Sequence, residues 1–113
     1  METAMADSFV RARKAGVRFV LGTDAGTPFN KHGDNAHELE LMVRLGLDPV
    51  DGLRAATRNG AELLGKLDDL GTIEPGKAAD LVLCEGDVVA DVARLCNRAN
   101  IRFVLQAGRI VHQ

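Results

Sequence analysis

The run Val17-Arg18-Phe19-Val20-Leu21, held between Gly16 and Gly22 and followed by Thr23-Asp24, constrains this chain more than any other stretch. Apart from Arg18 it is apolar, and it is too short for a helix. With a glycine at each end it predicts a strand buried on both faces, as in a parallel sheet. Open α/β sheets and (βα)8 barrels gather catalytic groups just past the C-terminal ends of such strands, which is where Asp24 falls. Gly22, Ala25, Gly26 and Thr27 keep the surroundings small, leaving room for an ion or a substrate to approach the carboxylate and the backbone. The plainer alternative is an aspartate that caps a turn at a strand end.

The chain has 113 residues, 46% hydrophobic and 27% charged, which is material for one domain with a modest core. Its net charge is -2, with Lys and Arg scattered, so nothing favours a nucleic-acid or anionic-membrane partner. Four Phe with no Trp or Tyr argue against a platform for stacking bases. Without a long apolar run or a signal-type start, a cytoplasmic location is expected. Cys84 falls in an expected strand and Cys96 in an expected helix, so packed free thiols are expected rather than a disulfide. No CxxC pair suggests zinc or redox chemistry.

Before the strand, Thr3 to Ala15 reads as a helix, with Phe9 and Val10 as apolar contacts, cations near its end and Gly16 as a left-handed stop. After it, Gly22 to about Asp34 reads as a long loop carrying Asp24, Lys31 and His32. Asn35 and Glu38 have capping-box spacing ahead of a helix whose face is Leu39, Met42 and Val43, with Gly46 as its stop. Asp48-Pro49 opens a further helix, expected to run to Gly65 with Val50, Leu53, Thr57, Ala61 and Leu64 as its buried stripe. Neither of these two helices carries an evident chemical motif. Beyond Gly65 come a Pro-Gly turn, a strand over Asp80 to Cys84, and a short helix capped by Asp87 and running to about Leu95. A hairpin of Ile101 to Leu105 and Arg109 to His112 closes the chain, with Gly108 supplying positive φ in the turn.

Four of these stretches together resemble the metal-dependent amidohydrolase superfamily, most closely its imidazolonepropionase-like and Xaa-Pro dipeptidase-like members. They are Gly22-Thr23-Asp24-Ala25-Gly26-Thr27, Glu38 to Val43, Leu53 to Asn59, and Leu70-Gly71-Thr72-Ile73-Glu74-Pro75-Gly76-Lys77-Ala78-Ala79-Asp80-Leu81-Val82. The last run is the most distinctive. The resemblance implies an α/β chain that is the C-terminal fragment of a (βα)8 barrel plus part of its small β-sandwich, with oligomerisation as one route to completing it. Residues 1–65 would hold the last barrel strand and helices, and residues 66–113 the C-terminal part of the sandwich.

By the same resemblance Asp24 is the metal-site aspartate of the eighth strand, ligating a divalent ion, zinc foremost, and accepting a proton from its bound water. His32 would contact substrate in a complete enzyme, with a solvated loop histidine as the plainer reading. His37 is read as a surface residue. A full barrel takes roughly 250 residues. The His-x-His pair, the carboxylated lysine and the later metal-binding histidines of the family have no counterpart in this sequence. Two functions therefore stay open. One is the C-terminal portion of a hydrolase of C–N bonds in cyclic amides or dipeptides, inactive as an isolated chain and needing the missing barrel segment to act on a small-molecule substrate. The other is a non-catalytic, self-associating remnant or interaction module.

Overall fold

The computed structural model describes residues 2–113. Helix α1 (Glu2–Lys14) ends in Arg11, Arg13 and Lys14, cations at the negative end of the helix dipole. The amides of Gly16 and Val17 then turn back to the carbonyls of Arg13 and Ala12, at 3.0 and 3.1 Å. This paired closure is a Schellman ending, and it needs a left-handed residue at its centre. Helix α2 (Ala36–Arg44) ends the same way: Gly46 takes φ 93°, and the amides of Gly46 and Leu47 bond Val43 and Met42. The turn carries Leu47 back against Met42. With Ala55 of helix α3 (Pro49–Ala56) they form a buried cluster, flanked by Phe9, Phe19 and Leu21. The Phe9 and Phe19 rings stand 4.6 Å apart.

Asp48 caps α3, its carboxylate accepting from the amides of Val50 at 2.9 Å and Asp51 at 3.3 Å. The single helix expected from Pro49 to Leu64 is broken. Thr57 leaves helical geometry (φ -129°, ψ -89°), and a separate helix α4 (Arg58–Leu63) follows. The Thr57 hydroxyl bonds back to the Leu53 carbonyl at 2.7 Å, a local bond that β-hydroxy residues offer in competition with the helix. Of the expected stripe Ala61 is buried and Leu53 half-buried, whereas Val50, Thr57 and Leu64 are exposed, and Gly52 and Ala55 are inside instead.

The break decides where the Val17–Gly22 run goes. At the break the Ala55 carbonyl accepts from the Leu21 amide at 3.0 Å, and Asn59 Nδ2 donates to the Phe19 carbonyl at 2.9 Å. The run is extended but belongs to no sheet, and it is not buried on both faces: Val17 and Val20 are 53% and 37% exposed. A parallel strand needs partners delivered beside it by crossover connections. Among the described residues the strands all lie downstream, in one sheet of their own.

Two further expectations change. Asn35 is itself helical (φ -62°, ψ -21°) and makes no side-chain cap bond, so the capping box with Glu38 does not form. Asp87 caps only one turn, accepting from Val89 and Ala90, before Asp91 restarts the chain as a 3-10 helix over Val92–Cys96. Asn97 then caps the 3-10 helix Arg98–Asn100.

The sheet is antiparallel, in the order β1 (Leu81–Cys84), β2 (Ile101–Gln106), β3 (Arg109–His112). Ala107 and Gly108, with φ 49° and 77°, form the β2–β3 turn with both central residues left-handed, the type that matches strand twist. Its tip is tied to the segment before β1, the Ala107 amide reaching Asp80 Oδ1 and the Gly108 amide the Ala79 carbonyl. The Leu70–Val82 run is held by Lys77. Its ammonium, on a side chain only 12% exposed, donates to Thr72 Oγ1 at 2.6 Å and the Leu67 carbonyl at 2.5 Å, and pairs with Glu74. Among the described residues no helix is long and apolar enough to cross a membrane.

Candidate functional site

Asp24 sits where the extended run ends, and its backbone is left-handed (φ 51°), a conformation aspartate tolerates better than most residues. The loop behind it is closed by short-range bonds. Asn30 Nδ2 donates to the Thr23 carbonyl at 2.5 Å, the Gly26 amide to the Asn30 carbonyl at 2.9 Å, and the Asn30 amide to the Thr27 carbonyl at 3.1 Å. At its tip Phe29 is also left-handed (φ 65°) and its side chain is fully exposed. The His32 ring lies over Gly26, where a methyl group would stand 3.1 Å from Nε2. Asp24, Phe29 and His32 are thus carried by one loop, and all three are exposed.

A catalytic divalent ion takes at least three protein ligands. Among the described residues, Asp24 does not gather with two other His, Cys, Asp or Glu side chains at ligand distance. Asp24 therefore offers one carboxylate, and its neighbours among the described residues do not complete a site.

A different set does come together. His37 and Glu40 project from α2 one turn apart, and Cys96 reaches them from the 3-10 helix packed beside it. His37 Nδ1 is 3.4 Å and Cys96 Sγ 3.6 Å from Glu40 Oε2, while Arg44 donates to Glu40 Oε1 at 2.5 Å. Burial, and after it the Glu40 carboxylate, pushes the Cys96 thiol up. It is thus held as S–H and donates to Glu40. His37 is exposed and Cys96 is a half-buried free thiol, as expected, but their meeting at Glu40 is not foreseen from the sequence. The legible signal was the His37-x-x-Glu40 spacing, which sets two ligand types on one helix face. Elsewhere, the Thr72 hydroxyl and then the Lys77 ammonium hold the Glu74 carboxyl below its ordinary value.

A sequence profile described as the amidohydrolase family matches residues 4–111. The chain belongs to the amidohydrolase family. It is 37% identical over 83 residues to an imidazolonepropionase from Aromatoleum aromaticum, covering 73% of this chain and 20% of that protein. It is 40% identical over 90 residues to adenine deaminase 2 from Rhizobium meliloti, covering 78% of this chain and 15% of that protein. Among solved structures, a Xaa-Pro dipeptidase with methionine bound in its active site superposes with TM-score 0.87 at 36% identity. That match covers 96% of this chain and 25% of the dipeptidase. The chain thus spans about a quarter or less of the amidohydrolases it matches.

Proposed function

We propose that this chain is the C-terminal portion of a metal-dependent amidohydrolase acting on C–N bonds of cyclic amides or dipeptides, and that it is inactive alone. Residues 1–65 supply the last strand and helices of the barrel, and residues 66–113 supply part of the small sandwich. The observation that carries this reading is the superposition on a dipeptidase along 96% of the chain, with Asp24 as the carboxylate at the end of the extended run. In the completed enzyme Asp24 contributes one ligand to a divalent ion, zinc in the first instance, whose other ligands come from the missing barrel segment. Such an ion supplies an activated water. The loop contributes the rest of this chain's share: the His32 imidazole offers a hydrogen bond to substrate, and Phe29 offers an apolar face.

Exposed apolar surface also favours self-association. Val17, Val20, Leu63, Leu64 and Ile73 are exposed on the helical side, and Val82, Leu83, Ile110 and Val111 are more than half exposed on the sheet. A surface this apolar is what a missing segment or a second copy would cover. The test is to assay the purified chain, alone and co-expressed with the upstream three-quarters of a related amidohydrolase, on Xaa-Pro dipeptides and imidazolone-type cyclic amides, with light scattering alongside. The expected result is turnover only in the combined sample, abolished by Asp24→Asn. Turnover that survives Asp24→Asn overturns the assignment. A stable homo-oligomer that neither pairs nor turns over favours the non-catalytic reading.

A further inference from the structure

The His37, Glu40 and Cys96 cluster has the ligand chemistry and the spacing of a zinc site that does not involve Asp24. Zinc takes imidazole nitrogen at about 2.0–2.1 Å, carboxylate oxygen at about 2.0–2.2 Å and thiolate sulfur at about 2.3 Å. Set at tetrahedral angles, those bonds put nitrogen and oxygen about 3.4 Å apart, and oxygen and sulfur about 3.6 Å apart. The observed separations are 3.4 Å for His37 Nδ1 to Glu40 Oε2 and 3.6 Å for Cys96 Sγ to Glu40 Oε2. One ligand atom from each of the three side chains, a ring nitrogen of His37 included, lies within 4.8 Å of the other two. His37 is the exposed member, so its ring can swing to close the remaining gap.

We propose that these three side chains bind a borderline-soft divalent cation, zinc above all, with a water molecule in the fourth position. Hard cations such as magnesium and calcium prefer all-oxygen sets and are disfavoured by the thiolate and imidazole. Arg44 suits the arrangement because it occupies only Oε1 of Glu40, orienting the carboxylate while Oε2 faces the other ligands. On binding, the proton that Cys96 shares with Glu40 is released to solvent, and the ion takes its place between sulfur and oxygen. The two elements joined are α2 and the 3-10 helix Val92–Cys96, which lie far apart in sequence. Binding therefore clamps the sheet-bearing half onto the helical half, and the free energy of binding adds to folding.

The experiment is a cobalt(II) titration of the full chain, followed by zinc displacement, in the wild type and in Cys96→Ser, His37→Ala and Asp24→Asn. The expected result is a thiolate-to-cobalt charge-transfer band that saturates at one ion per chain and bleaches with zinc. It should be absent in Cys96→Ser, formed only at higher cobalt concentration in His37→Ala, which loses one of three protein ligands, and intact in Asp24→Asn. Zinc should raise the Tm of the wild type and not of Cys96→Ser, whereas magnesium should shift neither. His37 is exposed, so its truncation leaves the fold in place, and circular dichroism of each variant checks this. The absence of a band in folded wild type, a band that survives Cys96→Ser, or one lost in Asp24→Asn overturns the proposal.

Discussion

The helical half and the sheet meet the same two demands of folding in opposite ways. In the helical half apolar side chains are buried while an extended segment goes unpaired: Leu39, Met42, Leu47 and Ala55 are inside, yet Val17–Gly22 has no strand partner. In the sheet the backbone is paired although no side chain is fully buried, β1 and β2 carrying half-buried and exposed residues and β3 exposed ones. β3 bonds β2 along its length, and all four of its residues are exposed. Backbone pairing and apolar burial are thus separable. Pairing is satisfied wherever partners are close in sequence, as in a hairpin, whereas burial on both faces of a strand needs layers of structure that this chain does not contain.

Hydrogen exchange should sharpen that contrast most. Amides of Arg18–Gly22 other than Leu21 should exchange fast, while those of β2, bonded on both sides, should be among the slowest. Equal protection of the two segments would mean that the run finds strand partners in solution, by self-association. The next effect is Leu39→Ala. Leu39 is 3% exposed, so truncation should cost about 2–5 kcal/mol in urea unfolding. A loss below about 0.5 kcal/mol, the range of surface substitutions, would mean that the face of α2 carrying Leu39 is not packed into a core. Gly71→Ala comes third, at about 2 kcal/mol. Gly71 has φ 93°, and a Cβ there would lie 2.5 Å from that of Ala61, forcing apart the contact between α4 and the strap leading to the sheet. Full stability in that variant would show that the halves are held together elsewhere.

Smallest is the pH effect at Glu74. Its carboxyl is held below the ordinary value, so its contribution is present above that value and is lost as pH falls through the lowered one. Glu74→Gln should therefore lower stability slightly at neutral pH, and its curve should meet the wild type in acid. A gap that widens in acid would reverse the sign and assign the Thr72 and Lys77 contacts a different role.

Much of the local structure was legible because its causes are local. Asp48-Pro49 starts a helix, Gly46 stops one, and Ala107-Gly108 turns a hairpin through rules that span four or five residues. The Asn35 capping box does not form because Asn35 itself takes helical backbone angles, and the long helix breaks at Thr57, where the distant Phe19–Leu21 segment meets the Ala55 carbonyl and the Asn59 side chain. The family was legible too, since runs such as Gly71 to Asp80 carry it in their order of residues.

The sequence by itself determined the helix start at Asp48-Pro49, the helix stops at Gly16 and Gly46, the hairpin and the amidohydrolase membership, because each rests on neighbours in the chain. The tertiary structure alone decided that Val17–Gly22 docks on a helix break instead of joining a sheet. It also brought Cys96 to His37 and Glu40 across more than 50 residues. No local pattern encodes such a meeting; it follows from which faces pack together once the helices and the sheet have formed.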